Sequence, residues 1–137
     1  MIGVLILTLG RVGEGLLEES TMIMGKAPEA VKTFTANCNQ KPDIIIGDLR
    51  KILDQFKGCD GILILADIYG ATHVNAACQL LEHDKIELVA GVNLPMLVRV
   101  LNYRDTSLHE LVDLAVSGGR TGVIAKNQSE HSENRRG

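Results

Sequence analysis

A chain of 137 residues, 45% hydrophobic and 23% charged, is long enough to bury roughly two-thirds of its unfolded surface, so it needs neither a disulfide nor a metal to hold a core. A net charge of −3 excludes the basic footprint of a nucleic-acid binder, and no apolar run approaches the ~20 residues of a membrane span. Cys38, Cys59 and Cys78 are odd in number and widely spaced, which is neither a disulfide framework nor a metal-binding pair. With no basic leader or cleavage site ahead of the first strand pattern, the expectation is a cytoplasmic protein with reduced thiols and no cofactor.

Taken in order, Ile2 to Thr8 is a continuous apolar run of strand length, the pattern of a central parallel strand covered on both faces. Val12 to Met24 places Leu16, Leu17, Ile23 and Met24 at helical spacing, with Gly25 as its stop. Val31 to Ala36 is a short Thr-rich strand. Pro42-Asp43 opens a helix carrying Ile45, Leu49, Ile52, Leu53 and Phe56 on one face. Gly61 to Ala66 is the second clear strand. Asp67 to Thr72 forms a turn into a helix containing Val74, Ala77, Cys78 and Leu81. Ile86 to Val92 is a further strand. Leu94 to Leu101 is helical, with Pro95 suited to the first turn. Ser107 and Glu110 make a capping box in which each side chain satisfies a free backbone N–H; Leu108, Leu111, Val112 and Ala115 follow as the buried stripe. Gly118-Gly119 is expected to end that helix, and Gly122 to Ala125 to form a short last strand. Residues 1–125 read as one domain and 126–137 as a polar tail.

Alternating strands and helices with short links predict an α/β fold: a doubly wound, mostly parallel sheet with helices on both faces. Such sheets bind ligands beyond the carboxyl ends of their strands, at the switch in strand order. Two loops are therefore the candidates, Thr8-Leu9-Gly10-Arg11 and Asp67 to His73. A dinucleotide enzyme is disfavoured. Gly10-Arg11-Val12-Gly13-Glu14-Gly15 is not G-x-G-x-x-G, and no acidic residue clearly ends a second strand at the required distance.

Four segments carry a resemblance. Thr8-Leu9-Gly10 is similar to a strand followed by Thr-His-Gly. Asp67-Ile68-Tyr69-Gly70-Ala71-Thr72-His73-Val74-Asn75-Ala76-Ala77 is similar to Asp-x-aromatic-Gly-Gly/Ala-Ser/Thr-Pro-x-Asn-Ala-Ala. Val89 to Leu97 reads A-G-V-N-L-P-M-L from Ala90 onward, and Ser117-Gly118-Gly119-Arg120-Thr121-Gly122-Val123 is the fourth. In this order and spacing, over about residues 1 to 125, they resemble the EIIA domains of the mannose/fructose-type phosphotransferase system. The resemblance implies a phosphocarrier, in which a histidine accepts a phosphoryl group from the carrier protein HPr and passes it to an EIIB domain. It also implies a homodimer that exchanges a short antiparallel C-terminal strand, here about residues 122–125. An imidazole is a good nucleophile near neutral pH. A carboxylate matching Asp67 would orient it, and the N–H groups and hydroxyl around Thr72 to Val74 suit a phosphoryl group.

The sequence departs from that pattern twice. Leu9 stands at the family's acceptor histidine and has no nucleophile, and His73 stands where the family has Pro. Three explanations remain open: a carrier retained as a regulatory or interaction module, an acceptor relocated to His73, or a deliberate inactivation. Desolvation beside Leu9 would raise the Asp67 pKa unless backbone N–H groups or Thr72 compensate, and that compensation is expected. Thr8 and Thr72 offer hydroxyls that nothing obvious activates. Arg11 follows the first loop as a candidate for a phosphate or an acidic partner. His83, His109 and His131 are weaker candidates, and no metal ligand set is present.

Overall fold

A computed structural model describes residues 1–127 of the chain. Its sheet has four parallel strands, β1 (Gly3–Leu9), β2 (Val31–Ala36), β3 (Ile62–Ala66) and β4 (Ile86–Ala90), in the order β2-β1-β3-β4. β1 and β3 lie inside the sheet, and their apolar runs are unbroken because both faces are covered. Alternate residues of β1 enter different cores. Val4 and Ile6 join Leu63, Leu65, Leu97 and Leu111 on one face, while Leu5 and Leu7 join Ile64, Ile45, Leu49 and Val74 on the other. Full burial of each such side chain is worth about 1.5–3 kcal/mol.

Five helices follow among the described residues: α1 (Val12–Met24), α2 (Pro42–Leu53), α3 (Thr72–Cys78), α4 (Leu94–Asn102) and α5 (Leu108–Thr121). α1, α4 and α5 cover the first face; α2 and α3 cover the second. The split follows from right-handed crossovers. The chain steps from β1 to β2 in one direction and from β2 through β3 to β4 in the other, so α1 falls on the face opposite α2 and α3. The reversal leaves the carboxyl ends of β1 and β3 as the switch point. The first strand is also tied down at its start. Arg104, buried, donates from Nε to the Ile2 carbonyl at 2.9 Å and from a terminal nitrogen to the Ala30 carbonyl at 3.2 Å.

Several expectations need correction. α5 does not stop at Gly118-Gly119 but runs to Thr121. Those glycines serve close packing: a Cβ on Gly118 would stand 2.8 Å from Arg99 Cβ, and one on Gly119 2.8 Å from Met96 Cε. Residues 122–125 are not a strand in this single chain; Gly122 caps α5, and Val123 and Ile124 are exposed. β4 ends at Ala90, before Gly91, whose φ of +94° breaks the extended run. α3 ends at Cys78, so Leu81 lies beyond it. Phe56 lies past the end of α2 yet joins the same core. The Ser107 hydroxyl accepts from the Glu110 N–H as expected, but Glu110 Oε1 meets that hydroxyl rather than a backbone N–H. The predicted tail falls, from residue 128 onward, outside the described residues.

Candidate functional site at the ends of β1 and β3

Asp67 follows β3 directly, and its main chain is held from both sides. Its N–H donates to the Leu7 carbonyl at 3.3 Å, and its own carbonyl accepts from Gly91 N–H at 3.1 Å. This fixes the carboxylate under the end of β1. There Oδ2 accepts from the Leu9 N–H at 2.8 Å, and Oδ1 accepts from the Ile68 N–H at 2.8 Å and meets His73 Nε2 at 2.6 Å. The His73 side chain is 3% exposed and that of Asp67 14%. An ionised carboxylate only accepts, so the Nε2 facing it carries the ring proton.

Two influences oppose each other at Asp67. Burial pushes its pKa up. The Leu9 N–H, His73 and the Ile68 N–H, together with the charge the imidazole can carry, outweigh that and hold the carboxyl below its ordinary value. The expected compensation is therefore present, but its third donor is His73 and not Thr72.

The loop shape explains the motif between them. Gly70 has a φ of +94°, a conformation that strains a residue bearing a Cβ. Asn75 Nδ2 donates to the Gly70 carbonyl at 3.1 Å and closes the loop onto α3. Val74 and Asn75 both donate to the Ala71 carbonyl, at 3.1 and 2.9 Å. Among the described residues, the N–H groups left without an acceptor at the start of α3 are those of Thr72 and His73, while that of Val74 is used.

On the first loop, Thr8 is fully buried and its Oγ1 accepts from Gly13 N–H at 2.7 Å, so it anchors the start of α1. A Cβ on Gly13 would stand 2.9 Å from that oxygen, which is why a glycine sits in the first turn of the helix, so close to the strand. Leu9 is half-buried. It lines a cavity of about 240 Å³ together with Asn37, Cys38, Ile45, Thr72 and His73. The structure thus gathers Leu9, Asp67, Thr72 and His73 at one place. Arg11 is exposed and pairs with Glu14 at 3.5 Å. His83 stands 3.3 Å from Asp84 and His109 3.9 Å from Asp113, all exposed and none lining the cavity.

Asn37, Cys38 and Ile45 were not legible as site residues. Asn37 and Cys38 follow β2 and Ile45 lies in α2, and only the pairing of β2 beside β1 brings them to the cavity; the sequence signal for that pairing was the short Thr-rich strand alone. A second and larger groove, about 570 Å³, runs along the free edge of β4, with Tyr69, Leu88, Met96, Val116 and Val123 among its walls.

Comparison with known proteins agrees with this architecture. Residues 3–116 match the family described as the fructose IIA component of the PTS system. The PTS system mannose-specific EIIAB component of Escherichia coli K12 is 35% identical over 127 residues, 90% of this chain and 39% of that protein. The chain therefore spans well under half the length of that relative. The fructose-specific EIIA component of Bacillus subtilis is 44% identical over 45 residues, 32% of this chain and 31% of that one. Among solved structures, the phosphotransferase component EIIA of Streptococcus agalactiae superposes with a TM-score of 0.80 at 24% identity, covering 91% of this chain and 97% of its own. The mannose/sorbose specific IIA subunit of Enterococcus faecalis does so at 0.80 and 23%, covering 91% and 94%. At these identities the two structures speak for the fold.

Proposed function

This chain belongs to the mannose/fructose-type EIIA family of the phosphotransferase system, and from that premise we propose that it serves a cytoplasmic sugar phosphotransferase relay, docking on HPr and on an EIIB domain, with no phosphoryl transfer through residue 9. The observation that carries this reading is the Asp67 carboxylate. Asp67 stands beside residue 9, its carboxylate accepting from the Leu9 N–H at 2.8 Å, but the side chain there is aliphatic and His73 Nε2 meets the same carboxylate at 2.6 Å. The homodimer belongs to the same reading. β4 is an edge strand, an apolar groove lies along it, and Val123 and Ile124 are 77% and 75% exposed. Exchange of residues 122–125 between two copies would cover both.

The test is incubation with phosphoenolpyruvate, EI and HPr, followed by intact mass and peptide mapping. Leu9→His should gain an acid-labile phosphoryl group on the peptide containing residue 9, and HPr should bind both forms. The substitution removes a half-buried apolar side chain, a loss of about 1–3 kcal/mol, which a domain of ~5–15 kcal/mol tolerates. No phosphate on Leu9→His and no HPr binding by either form would refute the proposal. A second reading, an interaction module that docks without transfer, rests on Leu9, which offers no nucleophile at the family's acceptor position. It requires wild-type protein that binds HPr and takes no phosphate anywhere.

A further inference from the structure

We infer that the phosphoryl acceptor of this chain is His73, through Nδ1. The inference rests on the relay reading above and names the acceptor that reading leaves unassigned. It starts from the two ends of one ring. Nε2 is 2.6 Å from Asp67 Oδ1, so the carboxylate that the resemblance assigns to an imidazole at residue 9 already holds an imidazole, supplied from the other loop. Nδ1 has no hydrogen-bond partner among the described residues, although the side chain is 3% exposed. A buried ring nitrogen with no partner is uncommon enough to need a reason.

The cavity supplies one. His73 lines the space of about 240 Å³ that also takes in Leu9 and Thr72. Nε2 is engaged by Asp67, so Nδ1 is the ring nitrogen left for a ligand that enters this space. Asn37, Cys38 and Thr72 are exposed walls of the same space, which leaves it open on that side to a partner's phosphorylated side chain. Thr72 is one of these walls, and its hydroxyl can donate to a phosphoryl oxygen. Leu9 then has a role. It presents an apolar wall where the family's own ring would compete for Asp67.

The tautomer is set by the pairing. With the proton on Nε2, donated to Asp67, Nδ1 carries the lone pair and is the nucleophile. Nδ1 forms the new N–P bond as the N–P bond of phosphohistidine in HPr breaks. The HPr ring keeps its own N–H and leaves as neutral imidazole with the bonding electron pair. His73 becomes an N-phosphorylated imidazolium whose positive charge faces the Asp67 carboxylate. No proton and no further reactant is required.

The experiment uses the full chain labelled with 15N-histidine, EI, HPr and phosphoenolpyruvate, with HPr binding measured separately on unphosphorylated components. Wild type should gain one acid-labile phosphoryl group, with the nitrogen shifts placing phosphorus on Nδ1 of His73. His73→Gln keeps an amide N–H to hold Asp67 and removes the nucleophile. It should fold, bind HPr as wild type does and take no phosphate, as should His73→Ala if it folds. Phosphate that persists in His73→Gln, or phosphorus on Nε2, overturns the inference. A wild type that binds HPr and stays unphosphorylated, while Leu9→His is phosphorylated, overturns it and leaves the relay reading standing. Loss of HPr binding by every form removes both.

Discussion

Asp67→Asn is the most direct probe of the site's energetics. The substitution is nearly isosteric but replaces one acceptor oxygen by an NH₂ group. If the amide oxygen takes the Oδ1 position, the NH₂ faces the Leu9 N–H, which now donates at 2.8 Å. If the oxygen takes the Oδ2 position, the NH₂ faces the Ile68 N–H and His73 Nε2, at 2.8 and 2.6 Å. Either way at least one bond to an ionised acceptor is lost and a donor is left facing a donor, a cost of about 1.5–3 kcal/mol. For a domain of this size that is a fall in Tm of roughly 5–12 °C. The pH dependence has a definite sign. The carboxyl titrates below its ordinary 3.8 in the fold, so between the folded and unfolded values the native state binds fewer protons. The stabilisation is complete above the unfolded pKa and is lost as pH falls through the folded one. Urea unfolding of wild type and variant near neutral pH and at progressively more acid pH would measure it: the gap should be full at neutral pH and narrow below about pH 4. A variant as stable as wild type at neutral pH, or a gap unchanged in acid, would refute this account of the carboxylate.

Two further outcomes concern the frame around the site. Asn93 accepts from Met96 N–H at 2.9 Å and donates to the Gly119 carbonyl at 3.1 Å. Asn93→Ala should therefore cost about 1–2 kcal/mol as a lost helix cap with a lost cross-helix bond, read as a lower urea midpoint at unchanged slope. Light scattering at micromolar concentration should give the mass of two chains for wild type and of one for Val123→Asp; a single-chain mass for wild type would count against the exchanged strand.

Much of the fold was legible because its signals are local. The run from Ile2 to Thr8 had to be a strand covered on both faces, since no other placement satisfies so many consecutive apolar side chains. The periodic stripes of α2 and α5 announced which faces would be buried. Pro95 could be read as part of a helix start because proline favours the first turn, and Ser107 with Glu110 as another because a cap depends on residues three apart. Gly118-Gly119 misled for the converse reason: a glycine pair reads as a stop unless a neighbouring helix is known to lie against it, and α4 does.

The sequence alone therefore determined the alternation of elements, the two loops that meet, the family they resemble and the absence of a nucleophile at residue 9. Each of these depends on residues adjacent in the chain or at helical and strand spacing. What only the tertiary structure decided is the partnership at Asp67. His73 is six residues away in sequence and Leu9 fifty-eight, and whether either reaches the carboxylate depends on the turn at Gly70 and on β1 lying beside β3. The same holds for Arg104 on Ile2, 102 residues apart, and for Asn37 and Cys38 on the cavity wall. A hydrogen bond acts over about 3 Å, and in a parallel sheet the groups that come within that reach are chosen by strand order.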